Sequence, residues 1–145
     1  IAAAREGRRI PFDELVTFCR EAIDGAAEVV LVEGVGGAFV PLDEAHTVAD
    51  WIAALDIPAL VVAGSYLGTL SHTVATVEAM QGRGLTIAGL VVSESAQAPM
   101  TLGETVAALE RLLPGLAIHA LPRLARGGGA PLWQVAPDLT GVLPV

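Results

Sequence analysis

Short, uninterrupted apolar runs alternate along this chain with segments of helical period, and that alternation constrains the fold more than any other feature. The runs lie at 28–33, 58–64, 85–92 and 116–121. Each is rich in Val, Ile, Leu or Ala and ends in Gly or a polar residue, as a strand covered on its faces does. Between them the apolar positions fall three and four apart. Leu15, Val16, Cys19, Ala22, Ile23 and Ala26 make one helical face, opened by Pro11-Phe12-Asp13-Glu14 and stopped near Gly25. Further helices are expected over 47–55, capped by Thr47, over 69–81, stopped by Gly82 and Gly84, and over 101–113, closed by Pro114-Gly115. Strands alternating with helices predict an α/β fold: a parallel sheet flanked by helices and covered on both faces. Residues 1–145 read as one α/β domain without internal repeats. Residues 126–145 form a loop-rich tail with one helical turn at 132–135.

In such a sheet, right-handed crossovers gather the carboxyl ends of the strands on one edge, where ligands bind. Four loops therefore matter. The first, Glu33-Gly34-Val35-Gly36-Gly37, pairs a carboxylate with backbone free to approach an anion, a combination suited to phosphate and a hard cation. A tight turn with a solvated Glu would look the same, and the residues alone leave the two readings even. The second, 65–72, brings Gly68 and the small hydroxyls of Thr69 and Ser71 to a helix start, where N–H groups lack intrahelical partners. An ordinary N-cap is the commoner use of such residues. The third, Ser93-Glu94-Ser95, and the fourth, Pro122-Arg123-Leu124, read as solvated turns.

Composition removes several classes. Eight Lys+Arg against 16 Asp+Glu leave a net charge of -8, which argues against general nucleic-acid binding. All the basic residues are arginine. A Walker A loop needs its lysine, so this chain holds none, and a Schiff-base lysine is excluded as well. No apolar run reaches the roughly 18 residues of a spanning helix, and no signal peptide opens the chain. The lone Cys19 sits on an apolar helical face and reads as a core residue in a reducing compartment. His46, His72 and His119 have no ligand spacing that suggests zinc. The opening at Ile1 reads like the middle of a longer protein.

Taken together, Ala4-Arg5-Glu6-Gly7-Arg8, Val32-Glu33-Gly34-Val35-Gly36-Gly37, Pro41-Leu42, Ala49-Asp50-Trp51, Leu67-Gly68-Thr69-Leu70-Ser71-His72-Thr73 and Gly84-Leu85-Thr86-Ile87-Ala88-Gly89 resemble dethiobiotin synthetase. The resemblance covers about the first two-thirds of the chain and is weak in the tail. It implies a P-loop NTPase-like fold represented by its C-terminal half to two-thirds, without the N-terminal P-loop strand and helix. No catalytic residue is then identifiable here, because the family's lysines lie upstream.

The implied reaction is ATP-dependent closure of a ureido ring from 7,8-diaminononanoate and CO₂, with Mg²⁺, in a cytoplasmic homodimer that binds neither nucleic acid nor membrane. By the resemblance, Glu33 matches the Mg²⁺ ligand, and Gly34, Val35 and Gly36 match the loop against the ATP phosphates. Gly68, Thr69, Leu70 and Ser71 match the segment at the substrate's carboxylate end. Ser93 and Glu94 match the strand tip at adenine, and Pro122, Arg123 and Leu124 a weaker nucleotide-side segment. Ser71 and Ser93 stand where the family usually has Asn. The alternatives are a related ATP-dependent amidoligase of cobyrinate type and a non-catalytic α/β fragment.

Overall fold

The computed structural model describes residues 2–25, 27–124 and 131–142. Expectations for Ala26 and for residues 126–130 and 143–145 of the tail lie outside them, whereas the expected helical turn at 132–135 is present. The chain divides into two compact units, Ile1–Ile57 and Pro58–Val145.

In the first unit, α1 (Ala2–Arg5) is followed by α2 (Phe12–Ile23), and α3 (Val48–Leu55) closes the unit. The predicted apolar face of α2 is what α3 packs against. Val16, Cys19, Val48, Trp51 and Leu55 form the core, with Leu15 and Ile23 at its margin. Arg20 Nη2 donates to the carbonyl of Ala54 at 2.7 Å, tying the two helices at their far ends. Thr47 caps α3 as expected. Its hydroxyl accepts from Asp50 N–H, while the Asp50 carboxylate accepts from Thr47 N–H at 2.7 Å, a reciprocal box that satisfies two donors at once.

Residues 28–33 are a correction. They form no strand: Val29 is 56% and Leu31 81% exposed. The β-branched run has the right residues, but a strand exists only through a ladder partner, and the run finds none among the described residues.

The second unit holds β1 (Ala59–Gly64), α4 (Thr69–Gly82), β2 (Ile87–Ser93), α5 (Leu102–Leu112) and β3 (Ile118–Leu121), then the short α6 (Leu132–Val135) and a 3₁₀ turn at Thr140–Val142. The sheet is parallel, in the order β1-β2-β3. Helices α4 and α5 cover one face, where Val77, Leu90, Val92, Leu109 and Leu113 form the core. Burying one such side chain stabilises by about 1.5–3 kcal/mol.

Both crossovers step the same way across the sheet. Right-handed connections of that kind put both helices on the same face. The expectation of cover on both faces therefore fails at β1, where Leu60 is 42% and Val62 65% exposed. Among the described strands, only β2, with Leu90, Val91 and Val92 buried in succession, has the fully buried character expected of every strand.

Candidate functional site

The first unit carries the glycine-rich loop. It is held by its own neighbours. Val40 N–H donates to Gly37 O at 3.0 Å, Val48 N–H to Val40 O at 3.0 Å, and Ala49 N–H to Ala38 O at 2.6 Å. An isolated antiparallel bridge joins Pro41 to Thr47. Inside that bridge the Asp43 carboxylate accepts from the N–H groups of Ala45 and His46 at 2.8 and 2.7 Å and lies 2.9 Å from His46 Nδ1. The His46 ring stacks on Phe12 at 3.9 Å. The imidazole bond, followed by the Ala45 N–H, holds the Asp43 carboxyl below its ordinary range.

Against this frame, Gly36 adopts φ +86, and a Cβ there would lie 2.8 Å from Val40 Cγ2. A Cβ on Gly34 would meet Val48 Cγ1 at 2.9 Å. The loop's own packing thus requires both glycines, a demand independent of any ligand. Val35 and Gly37 are exposed, and so is Glu33, which has no salt-bridge partner among the described residues. A hard cation held by one carboxylate, phosphate oxygens and water suits such a side chain. No cluster of three or more ligating side chains occurs among the described residues.

The second unit carries the other three loops at the carboxyl ends of its strands. After β1 the chain turns through Gly68, whose φ of +95 is the left-handed geometry that glycine adopts without penalty. Thr69 then turns inward. It is 2% exposed, its hydroxyl donates to the Gly64 carbonyl, and its N–H donates to Tyr66 O at 3.1 Å. The expected role of the Thr69 hydroxyl is thus taken by the fold. The N–H groups of Leu70 and Ser71 find no acceptor among the described residues, and Ser71 is exposed. Beside them, Tyr66 Oη lies 3.3 Å from His72 Nδ1.

Ser93 ends β2, in register with Gly64 on one side and Leu121 on the other. Glu94 is engaged on both sides of its Cα. Its N–H donates to Leu121 O at 2.9 Å, and its Oε2 accepts the N–H of Arg123 at 2.9 Å. Pro122 and Arg123 are exposed and Leu124 is half-buried. The sheet thus brings together Gly68 to Ser71, Ser93, Glu94 and Pro122 to Leu124, whereas Glu33 to Gly36 belong to the other unit.

Sequence reading missed Ser65 and Ser95. Each donates its backbone N–H to the other's Oγ, at 3.1 and 2.9 Å. The one signal available was a serine within three residues of the end of each of two runs expected to pair in parallel. A groove of about 480 Å³ lined by Arg8, Arg9, Ile10 and Phe18 contains none of the candidate binding residues.

Residues 1–126 match a protein-family model described as AAA domain. Three relatives named ATP-dependent dethiobiotin synthetase BioD align with most of the chain. The one from Acidiphilium cryptum is 58% identical over 113 residues, 78% of this chain and 51% of that protein. The one from Caulobacter vibrioides is 43% identical over 124 residues, 85% of this chain and 56% of that protein. The one from Aromatoleum aromaticum is 38% identical over 139 residues, 96% of this chain and 60% of that protein. The chain spans about half the length of the curated relatives it matches. No helix among the described residues is long and apolar enough to cross a membrane. With its parallel α/β sheet, and matched by the model across 1–126, the chain belongs to the AAA domain family and resembles the dethiobiotin synthetases.

Proposed function

We propose that this chain forms part of an ATP-dependent dethiobiotin synthetase, a ligase of biotin biosynthesis acting as a cytoplasmic homodimer. The observation that carries the reading is the 58% identity with the Acidiphilium cryptum protein over 113 residues. The substrates are 7,8-diaminononanoate, CO₂ and ATP. One amine adds to CO₂ to give a carbamate. The carbamate oxygen takes the γ-phosphoryl group of ATP and releases ADP. The second amine then attacks the carbamoyl carbon, closes the ureido ring and expels phosphate.

Such chemistry asks the protein chiefly for positioning and for donors aimed at developing charge. Backbone N–H groups of Gly34, Val35 and Gly36 face the phosphates. Glu33 holds Mg²⁺, which neutralises phosphate charge when bound. Leu70 and Ser71 offer free N–H groups at the positive end of α4 to the substrate carboxylate, with the Ser71 hydroxyl beside them. Gly68 and the inward-turned Thr69 fix the direction in which those donors point. Ser93 meets adenine, while Glu94 holds the 122–124 segment through the Arg123 N–H.

The test is to supply the full-length protein with 7,8-diaminononanoate, bicarbonate, Mg²⁺ and ATP. The expected products are dethiobiotin, ADP and phosphate in equal amounts. ADP release without dethiobiotin, or no turnover at all, refutes the assignment.

A further inference from the structure

The ladder between β1 and β2 ends at the pair Gly64 and Ser93. Beyond that point nothing in a parallel pair ties the strands. No hairpin joins them, and the twist of the sheet carries their ends apart. Here the pairing continues by other means. Ser65 N–H donates to Ser95 Oγ at 3.1 Å, and Ser95 N–H donates to Ser65 Oγ at 2.9 Å. Ser65 is 1% exposed. A Cβ on Gly64 would lie 2.9 Å from Ser95 Oγ, so the Ser95 side chain comes in against bare backbone.

The contacts continue in both directions. On one side the Gly64 carbonyl accepts the Thr69 hydroxyl and so sets the start of α4. On the other, Glu94, next to Ser95, binds the backbone of Leu121 and Arg123. A displacement at either serine therefore reaches the Leu70 and Ser71 donors as well as the Ser93 tip.

We propose that the reciprocal Ser65–Ser95 pair is a positioning latch that holds the diamino-acid loop and the adenine-side loop in a single register, so that losing it weakens the binding of both substrates. The role of the two loops rests on the function proposed above; the latch itself rests on the hydrogen bonds. Serine suits it because its hydroxyl reaches a neighbouring backbone N–H with a single rotatable bond.

The test uses Ser95→Ala and Ser95→Thr in the full-length protein. Ser95→Ala leaves the Ser65 N–H without its acceptor, and is expected to raise KM about fivefold for both 7,8-diaminononanoate and ATP. Ser95→Thr keeps the oxygen and restores both values. A merely structural role would lower the melting temperature of Ser95→Ala with both Michaelis constants unchanged. That result overturns the latch, as does a change confined to one substrate. Amide hydrogen exchange at Thr69, His72 and Arg123, whose N–H groups are hydrogen-bonded to Tyr66 O, Gly68 O and Glu94 Oε2, supplies a readout independent of turnover. It should speed up at all three in Ser95→Ala. Unaltered exchange refutes the latch whatever the protein catalyses, whereas faster exchange in a protein that makes no dethiobiotin refutes only the assigned reaction.

Discussion

Gly36→Ala imposes two separate penalties that can be measured apart. At φ +86 a side chain meets its own backbone, and holding an L residue in the left-handed region costs about 1–2 kcal/mol. The new Cβ would also lie 2.8 Å from Val40 Cγ2, closer than carbon atoms tolerate, so Val40 or the loop must shift. Forcing a methyl into packed space costs about 1–3 kcal/mol. Val40 is 38% exposed and has some room to move, which places this second cost at the low end. The total is about 2–3 kcal/mol.

A double-mutant cycle with Val40→Ala separates the two. Removing the valine methyls abolishes the clash and leaves the dihedral penalty. Gly36→Ala should therefore cost about 1 kcal/mol less in the Val40→Ala background than in the parent. Urea unfolding of the four proteins, followed by circular dichroism, reads this directly from the midpoints. A Gly36→Ala protein as stable as its parent would refute the geometry. Equal costs in both backgrounds would refute the contact with Val40 and leave the dihedral as the sole cause.

Glu33→Gln in the full-length protein should lower kcat by roughly 10²-fold, in line with removal of one electrostatic stabiliser; unchanged turnover across a Mg²⁺ titration excludes the metal role. Ser71→Asp places a negative charge at an exposed position of the α4 start, and should raise KM for 7,8-diaminononanoate about tenfold while leaving KM for ATP nearly unchanged. Equal effects on both substrates would make that helix end a cap and nothing more. Asp43→Asn should flatten the acid limb of the stability profile. The folded carboxyl titrates below its ordinary range, so its contribution is present above that range and disappears as pH falls through the folded value. Melting temperatures of parent and variant should differ at neutral pH and converge in strong acid; a difference independent of pH rejects the carboxylate as its source.

Features written locally in the chain were readable from it. Thr47 and Thr101 sit three residues before Asp50 and Glu104, and both make reciprocal capping boxes. The apolar period of α2 gave the buried face seen at Val16 and Cys19. Features that depend on a distant partner were not readable. Residues 28–33 have strand-forming side chains, but whether a ladder forms is decided by what lies alongside. Val62 resembles Val91 in sequence, yet it is 65% exposed where Val91 is 3% exposed, because Val91 lies on the middle strand. The candidate site divides the same way. The helix start after Gly68 was legible, whereas the inward rotation of the Thr69 hydroxyl depends on the Gly64 carbonyl. The Ser65–Ser95 and Glu94–Arg123 bonds join residues 30 and 29 positions apart, beyond the reach of any local pattern.

The sequential strand order also bears on how the second unit is built. Among the described strands each pairs with the one made next, so each of these pairings closes a single crossover and none of these strands waits for a later one to be inserted beside it. Synthesis runs from the amino end, and contacts near in sequence form before distant ones. Helix α4 can therefore seat Val77 over Leu90 and Val92 before Ile118 has left the ribosome. The last strand then adds to a surface already in place.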